Sequence, residues 1–234
     1  MKVHIFSDVR CPFCFVGKRK FEKALKSFDQ KEDIEVVWHS FQLDPSLKTQ
    51  VDIDPMEFFS QHKGVTLEQA RMMHGHAEAA GKEVGIDFNF AEQKIANSFR
   101  AHLLIQLAKT KGKGNEIEEA LFQAQFLKSK NIDSTEDLVE IGTSVGLEEK
   151  EIRDALVSDD MAYKVKQDEQ LAQRAGVRAV PFFVFNDKYG VSGAQSPETF
   201  LEVLEKSYSE YKGGEKGLQI LADGDNCSID GECN

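Results

Sequence analysis

The sequence has few cysteines, few prolines and no long apolar run. Its 234 residues include four cysteines and five prolines. The cysteines form two pairs near opposite ends of the chain, Cys11/Cys14 and Cys227/Cys233. This distribution excludes a fold that is cross-linked by disulfide bonds along its length. No apolar stretch approaches the roughly 18 residues that a membrane-spanning helix requires, so we expect no membrane partner.

The chain has fewer basic than acidic residues, 29 Lys and Arg against 40 Asp and Glu. The chain carries a formal net charge of −11, whereas binding to nucleic acid needs clustered Lys and Arg, so a nucleic-acid partner is not expected. Residues 1–20 contain scattered charges and no apolar core of the kind found in a secretory signal peptide. We therefore expect a cytoplasmic protein, in which paired cysteines are more often catalytic, redox-sensing or metal-binding than structural.

The pair Cys11/Cys14 follows the first apolar run of the chain, residues 2–7, which predicts a β-strand. A helical pattern begins at Pro12, a residue that suits the first position of a helix because it has no N–H to satisfy. A thiol at this helix N-terminus is stabilised as the reactive thiolate by the positive end of the helix dipole. The order strand, CxxC, helix predicts a thioredoxin-like redox motif.

The hydrophobic patterns in the rest of the chain predict which strands and helices surround this motif. A second strand at residues 34–41 completes a βαβ unit with two parallel strands. Residues 55–175 show a succession of helical patterns, including a capping box that starts at Thr66. Strand patterns return at residues 182–185 and 189–193, and a last helix follows them.

We therefore predict an α/β protein with the thioredoxin fold, βαβ…ββα, and a large all-helical domain inserted between its two halves. The predicted thioredoxin-like core covers residues 1–50 and 176–212, and the inserted helical domain covers residues 51–175. Residues 213–234 are predicted to form an acidic tail that contains the second cysteine pair. The chain is long enough for one compact domain that carries such an insertion.

A second part of the predicted site is Val180-Pro181, where a proline begins the strand that follows the helical block. In the thioredoxin fold this position holds a cis-proline that faces the CxxC. Such a proline leaves the backbone N–H and C=O of Val180 unpaired at a sheet edge. A substrate peptide can add to that edge as an extra strand, which holds its cysteine over Cys11. Val180 and Pro181 are therefore the candidate substrate-binding residues.

Four stretches of the chain carry a resemblance to a known family: SDVRCPFCFVG (7–17), NSFRAH (97–102), GVRAVPFFVF (176–185) and GAQSPE (193–198). They resemble the DsbA-like family of the thioredoxin superfamily and, more narrowly, its FrnE-type branch, over about residues 1–212. The resemblance implies thiol–disulfide exchange in the oxidase, reductase or isomerase direction. Kappa-class glutathione transferases and 2-hydroxychromene-2-carboxylate isomerases belong to the same wider family, but they use Ser where this chain has Cys11.

Sulfur chemistry assigns the two roles. Cys11 is the predicted nucleophile and the more exposed thiol, because it precedes the helix, while Cys14 is the predicted resolving thiol and the more buried one. Arg10 is expected to lower the pKa of Cys11, and Asp8 is expected to oppose that effect. No cofactor is required. The expected exchange partners are protein thiols and disulfides, with glutathione as a further candidate.

Other interpretations of the cysteines remain open. A CxxC pair can be half of a zinc site, but zinc needs four ligands and the spacing of Cys227 and Cys233 does not supply a second CxxC, so no metal is predicted. Cys227 and Cys233 form a candidate second redox pair that exchanges with Cys11/Cys14 or regulates access to it. The alternative is a passive tail disulfide or two free thiols.

Two further residues, Asn97 and His102, are candidates for lining the catalytic cleft; the alternatives are a helix cap for Asn97 and a domain contact for His102. Two other functions also remain open. One is a glutathione-dependent transferase or isomerase that acts on a small organic molecule, and the other is a redox sensor or holdase-like binding module. The sequence does not fix the direction of electron flow, the substrate or the oligomeric state, although a homodimer is compatible with it.

Overall fold

The computed structural model describes residues 1–211, 219–222, 225 and 227–228. Its N-terminal elements are β1 (Lys2–Ser7), α1 (Pro12–Ser27), a 3₁₀ turn (Lys31–Asp33) and β2 (Glu35–Ser40). The helices that follow are α2 (Pro55–Lys63), α3 (Leu67–Glu83), α4 (Phe99–Thr110), α5 (Gly114–Phe126), α6 (Thr135–Ser144), α7 (Glu149–Ala155) and α8 (Asp159–Arg174). The C-terminal elements are β3 (Ala179–Val180), β4 (Phe182–Phe185), β5 (Tyr189–Ser192), α9 (Pro197–Tyr211), β6 (Gln219–Ala222) and β7 (Cys227–Ser228).

The central sheet orders its described strands β2-β1-β4-β5-β6. Ile5 of β1 pairs with Trp38 of the parallel strand β2 and with Phe183 of the antiparallel strand β4. Strands β4 and β5 form an antiparallel hairpin, and α9 follows it. The parallel βαβ unit and the ββα unit therefore meet in one sheet, which confirms the predicted thioredoxin fold with helices between its halves.

An aromatic layer fixes α1 on the sheet. The ring of Phe21 in α1 lies 5.6 Å from that of Phe183 in β4, centroid to centroid. Phe183 in turn lies 4.6 Å from Phe200 of α9. All three side chains are buried, and burying an aromatic side chain of this size contributes about 1.5–3 kcal/mol. The layer determines where the first turn of α1, with its two cysteines, stands relative to the sheet.

Asp168 of α8 joins the helical block to the sheet. It accepts hydrogen bonds from His39 Nδ1 at 2.6 Å and from the Ser40 N–H at 3.0 Å, both in β2. It also accepts from Gln106 Nε2 at 2.6 Å and from Lys109 Nζ at 2.9 Å, both in α4. Burial opposes ionisation of Asp168, but the hydrogen bond from His39 and the charge of Lys109 hold its pKa well below the usual range.

The predicted tail, residues 213–234, contains backbone pairing that its acidic composition did not indicate. Strand β6 runs parallel to β5, and β7 runs antiparallel to β3. Strand pairing uses backbone groups, so a polar and acidic composition does not prevent it. Cys233 lies outside the described residues. Within the described ranges, every helix is too short or too polar to cross a membrane.

The docking carboxylate yields a stability prediction. Replacing Asp168 by Asn removes the charge that Lys109 and His39 face, so we expect the free energy of unfolding to fall by about 3 kcal/mol. The matched control is Asp160→Asn on the same helix, whose exposed pair with Lys164 is worth at most about 0.5 kcal/mol. Denaturant unfolding followed by circular dichroism measures both variants.

The pH dependence has a defined sign. The folded-state pKa of Asp168 is depressed. The ionised carboxylate therefore contributes fully to the free energy of unfolding above the unfolded-state pKa of about 3.9, and this contribution is lost as the pH falls below that value. The stability difference between the wild type and Asp168→Asn therefore shrinks on acidification below about pH 4. An equal loss for Asp160→Asn, or a difference that grows towards acid pH, would contradict this account of docking.

Candidate active site

The two cysteines of the CPFC motif lie at the start of α1. Cys11 occupies the N-cap position with extended backbone angles, φ −89° and ψ 112°, and Pro12 begins the helix. The Cys14 N–H donates to the Cys11 carbonyl at 3.1 Å, and the Cys11 N–H donates to the Asp8 carbonyl at 3.0 Å. This is the predicted order of strand, CxxC and helix, and it places Cys11 at the positive end of the helix dipole.

The loop that contains Val180-Pro181 faces this turn. The Val180–Pro181 peptide bond is cis, as predicted, and it joins β3 to β4. The Cys11 thiol donates to the Val180 carbonyl, with Sγ 3.5 Å from the oxygen. A Cβ on Gly17 would lie 3.0 Å from Cγ of Pro181, so the absence of a side chain at Gly17 permits the close approach of α1 and the proline. Sequence reasoning missed this role of Gly17.

Two predictions about this site were wrong. Cys11 was expected to be exposed, yet its exposed fraction is 0%, against 1% for Cys14. Val180 was expected to present an unpaired edge, yet it pairs with Cys227 of β7, next to the Ala179–Ser228 pair. The physical reason is that the Cys11 thiol points at the Val180 carbonyl, inside an apolar cluster, while the C-terminal strand occupies the outer edge of β3.

The environment of Cys14 keeps its proton in place. Burial raises the pKa of the Cys14 thiol well above that of an ordinary cysteine, and the adjacent Cys11 sulfur raises it further. The groups that act against this shift are the backbone N–H of Asp8 and the hydroxyl of Ser7. Cys14 is therefore a thiol at neutral pH and has to lose a proton before it can attack another sulfur.

Asn97 and His102 make different contacts in the structure. The side-chain oxygen Oδ1 of Asn97 accepts a hydrogen bond from the Phe99 N–H at 2.7 Å, and the side-chain Nδ2 donates to the Leu47 carbonyl at 2.9 Å. Asn97 therefore holds the start of α4. His102 is fully buried, with Nε2 3.6 Å from Oδ1 of Asp8. Asn97 is half-buried and also accepts a hydrogen bond from Gln42 at 3.4 Å, so its cleft-lining role stays a prediction, whereas the buried His102 side chain has no exposed surface with which to line a cleft.

A cavity that the sequence did not predict opens beside the CPFC turn. Its volume is about 650 Å³. Its lining is largely aromatic and apolar, with cations at Arg10, Lys63 and Lys94 and one carboxylate at Asp44. Among its walls are the side chains of Phe13, Phe58, Phe59, Met73, His74, Phe90 and Phe126. These residues come from α1, α2, α3, α5 and the loops between them, so no local motif indicates the cavity.

His74 forms part of the cavity wall. Its ring lies between Phe59, 4.5 Å away, and Phe90, 4.6 Å away, measured between ring centroids. Burial lowers the pKa of His74, so the neutral imidazole is favoured. The wall therefore presents an uncharged aromatic surface at this point, and the positive charge of the cavity comes from its lysines and Arg10.

The fold and the site together define a class. A CxxC turn at the N-terminus of α1, opposite a cis-proline at the start of β4, is the arrangement of the thioredoxin-fold thiol–disulfide oxidoreductase superfamily. The sequence model of the DSBA-like thioredoxin domain matches residues 2–205. The chain therefore belongs to the DSBA-like thioredoxin domain family.

Individual proteins support this assignment. The uncharacterized protein YwbO of Bacillus subtilis (strain 168) is 31% identical over 212 residues, which cover 87% of this chain and 96% of that protein. The crystal structure of the probable DsbA oxidoreductase SCO1869 from Streptomyces coelicolor is 33% identical, with a TM-score of 0.84 over 100% of this chain and 98% of its own. The cytosolic disulfide reductase DsbM from Pseudomonas aeruginosa shares the fold, at 16% identity and a TM-score of 0.61 over 91% of this chain and 98% of its own.

The raised pKa of Cys14 is testable by alkylation. In a Cys11→Ser variant, burial still disfavours the Cys14 thiolate. We expect iodoacetamide to modify Cys14 at least about tenfold more slowly at pH 8 in the folded protein than in the unfolded protein. Peptide mass spectrometry after timed quenching separates Cys14 from the tail cysteines. A folded-state titration midpoint at or below about 8.5, the ordinary value for cysteine, would contradict the assigned environment.

Proposed function

We propose that the protein is a thiol–disulfide oxidoreductase that acts on protein disulfides through Cys11 and Cys14. One observation carries the proposal: Cys11 caps α1, and its sulfur lies 3.5 Å from the carbonyl of Val180, the residue before the cis-proline. A nucleophilic sulfur and a backbone edge that can hold a peptide are thereby in contact. The membership of the DSBA-like family supports the same chemistry.

The exchange runs through two sulfur transfers. In the reductive direction the Cys11 thiolate attacks one sulfur of a substrate disulfide, forms a mixed disulfide and releases the other substrate sulfur as a thiolate. Cys14 then loses its proton and attacks Cys11, which releases the second substrate thiolate and leaves a Cys11–Cys14 disulfide. Two electrons have passed from the dithiol to the substrate. The oxidative direction is the reverse sequence.

The proposed substrate dock is the edge of β3 at Val180, beside Pro181. Support comes from β7, whose antiparallel pairing with β3 demonstrates that this edge accommodates an extended chain. A peptide that docks there takes the place of β7 and lies along the face to which the Cys11 thiol is directed. Backbone hydrogen bonds give such docking its affinity with little dependence on the peptide sequence.

We propose the cytoplasm as the compartment and a thiol such as glutathione as the source of electrons, with no bound cofactor. The DsbM of Pseudomonas aeruginosa is described as cytosolic and as a disulfide reductase, and its structure has also been solved with GSH. That protein shares only the fold with this chain. The parallel supports glutathione as a candidate partner, and binding experiments have to locate its site.

The tail cysteines enter the proposal as a second redox pair. The register of β7 sets the backbone of Cys227 opposite that of Val180, and the Val180 carbonyl accepts the Cys11 thiol hydrogen bond. This placement supports exchange between Cys227 and Cys11. In that exchange Cys227 and Cys233 give two electrons to the Cys11–Cys14 disulfide and become a disulfide themselves.

The cavity supports a second candidate function. A volume of about 650 Å³ with an aromatic lining and cationic groups, adjoining Pro12 and Phe13, is of a size that suits a small organic ligand. In this alternative the protein is a glutathione-dependent transferase or isomerase. The two cysteines favour the dithiol function, because a glutathione transferase needs no resolving thiol.

Insulin reduction tests the main proposal. We expect the wild type to reduce insulin with glutathione or dithiothreitol as the electron source, and Cys11→Ser to lower the rate to background because it removes the attacking sulfur. Cys14→Ser is the matched variant. It keeps Cys11 and is expected to accumulate the mixed disulfide, which non-reducing electrophoresis and mass spectrometry detect as a covalent adduct at Cys11.

Three outcomes would argue against this function. If Cys11→Ser leaves the rate of insulin reduction unchanged, Cys11 is not the nucleophile. Consumption of glutathione with an electrophile such as 1-chloro-2,4-dinitrobenzene, in the absence of insulin reduction, would favour the transferase. Suppression of insulin aggregation that is equal in the wild type and in Cys11→Ser, without disulfide cleavage, would favour a binding module.

The tail pair has its own test. We expect the double variant Cys227→Ser/Cys233→Ser to take up two electrons per chain in a glutathione redox titration where the wild type takes up four, because one of two dithiols is removed. Turnover with glutathione should fall by at least about twofold if the tail pair relays electrons to the active site. Ser228→Ala, which keeps both cysteines in the same segment, is the control. If turnover and the redox potential of Cys11/Cys14 are unchanged in the double variant, the tail cysteines take no part in the exchange.

A further inference from the structure

Two histidines from neighbouring strands of the sheet stand in line between two carboxylates. Nδ1 of His4 in β1 lies 2.8 Å from Nε2 of His39 in β2. The other ring nitrogen of His39, Nδ1, lies 2.6 Å from Oδ1 of Asp168 in α8. Nε2 of His4 lies 3.3 Å from Oδ1 of Asp187 in the turn between β4 and β5. We call these four side chains the histidine row, and the exchange reaction described above gives none of them a role.

The histidine row runs from the protein surface to the anchor of the helical block. Asp187 is exposed, His4 is half-buried, and His39 and Asp168 are buried. The His39 ring stacks on Phe6 with their centroids 4.8 Å apart, so its orientation is set by packing as well as by hydrogen bonding. The inner end of the row is therefore rigid, whereas the outer end is open to water.

The number of contacts determines how many protons the two imidazoles hold. Carboxylates only accept hydrogen bonds, so Asp168 and Asp187 require N–H groups at His39 Nδ1 and at His4 Nε2. The contact between the two rings requires one more proton, on His39 Nε2 or on His4 Nδ1. Three protons are needed, and two neutral imidazoles carry only two. A complete histidine row therefore holds one excess proton, which gives the pair of rings a single positive charge.

The charges around the row suit one positive charge on the two rings. The carboxylates at its two ends favour that charge. Lys109 of α4 already pairs with Asp168, and Lys2 of β1 pairs with Glu35 of β2 at 3.5 Å. Helix α5 approaches β2 where Gly114 faces Trp38, and neither of these residues ionises.

A second proton on the pair meets opposition. Burial lowers the pKa of His4, and the nearby His39 lowers it further, against the smaller effect of Asp187. His4 is therefore neutral near pH 7 and takes up a proton only as the pH becomes acidic.

Either change of protonation breaks the row. If both rings are imidazolium ions, two N–H groups point at each other across the 2.8 Å between His39 and His4, with no acceptor between them. His39 is held by Asp168 and Phe6, so the half-buried His4 is the ring that has to move. If the excess proton is lost instead, two protons remain for three contacts, and one contact is lost. The row is therefore complete only within a range of pH around neutrality.

We propose that His4 and His39 share one excess proton and form a pH-sensitive latch between the sheet and α8, which acid opens when His4 takes up a second proton. Both protons come from water, the first when the chain folds and the second on acidification. Helix α8 ends at Arg174, and β3 begins only five residues later, at Ala179. The latch therefore restrains the segment that leads to the cis-proline loop, and it does so whatever reaction the two cysteines perform.

Nuclear magnetic resonance counts the protons directly. In the full-length protein labelled with ¹⁵N at histidine, long-range ¹H–¹⁵N correlation distinguishes ring nitrogens that carry a proton from those that do not. We expect three of the four ring nitrogens of His4 and His39 to be protonated at pH 7. His4→Gln removes two of the four signals and so assigns them. Only two protonated nitrogens in the parent protein at pH 7 would overturn the proposal without any need for a variant that folds.

The shared proton also gives the unfolding equilibrium a characteristic pH dependence. Histidines in the unfolded chain titrate near pH 6.5. At pH 5 the unfolded chain binds about two protons at these positions and the folded row binds one, so acidification raises the contribution of this pair to the unfolding constant by up to about tenfold per pH unit. At pH 8 the unfolded chain binds almost none and the folded row still binds one, so the contribution rises towards alkaline pH as well.

His4→Gln separates the two sides of this profile. A glutamine oxygen can accept from His39 Nε2, and its amide can donate to Asp187, so the row stays closed but cannot take up a second proton. We expect the acid side between pH 6.5 and 5 to lose about one proton, which is up to about tenfold per pH unit in the unfolding constant, and the alkaline side to remain. The control is His76→Gln, an exposed histidine on α3, which should keep both sides. Identical profiles for the parent and His4→Gln would overturn the proposal.

Hydrogen exchange tests whether the row acts as a latch. The Ser40 N–H donates to Oδ2 of Asp168, so its protection from exchange reports the contact between β2 and α8. After correction for the intrinsic exchange rate, we expect this protection to fall between pH 7 and pH 5 in the parent protein and in His76→Gln, and to fall less in His4→Gln. Equal protection of Ser40 in the parent and His4→Gln at pH 5 would show that the second proton does not loosen α8, and would overturn the latch.

Discussion

The contact between the Cys11 thiol and the Val180 carbonyl, 3.5 Å long, joins positions separated by 169 residues of chain. It exists only if the two halves of the sheet assemble with α1 in one position. The aromatic layer of Phe21, Phe183 and Phe200 sets the distance of α1 from the sheet, and the missing side chain of Gly17 lets the helix approach Pro181. The helical block is held to the same sheet by Asp168.

Local patterns predicted most of the framework, because the physics behind them is local. The apolar run before Cys11 and the proline after it specify a strand and a helix start whatever the rest of the chain does. Thr66 forms the predicted capping box with Gln69, since both partners lie within one helical turn. The cis bond before Pro181 was expected from the resemblance to a known fold, and composition alone did not indicate it.

Features that depend on distant contacts escaped sequence reasoning. Glu118 lies in the run Asn115-Glu116-Ile117-Glu118-Glu119, whose charges are typical of a solvated helix face. One signal was available: Glu118 is four residues before the buried Phe122 and seven before the buried Gln125, so it shares their helix face. His102 was noticed, yet only the folded chain reveals that its neighbour is Asp8. The burial of Cys11 likewise could not be read from the motif, because the apolar cluster around it includes Val177 and Val180, which lie far along the chain.

The burial of Cys11 is compatible with a reactive site on energetic grounds. Strands β3 and β7 are two residues long each, and a backbone hydrogen bond contributes only about 0.5–1.5 kcal/mol net. A peptide that pairs with β3 replaces the bonds that β7 made, so the exchange costs little in backbone pairing. Burial, which does not depend on this backbone pairing, raises the pKa of Cys14. Access to Cys11 therefore depends on the edge of β3, whereas deprotonation of Cys14 depends on the buried surroundings of its sulfur.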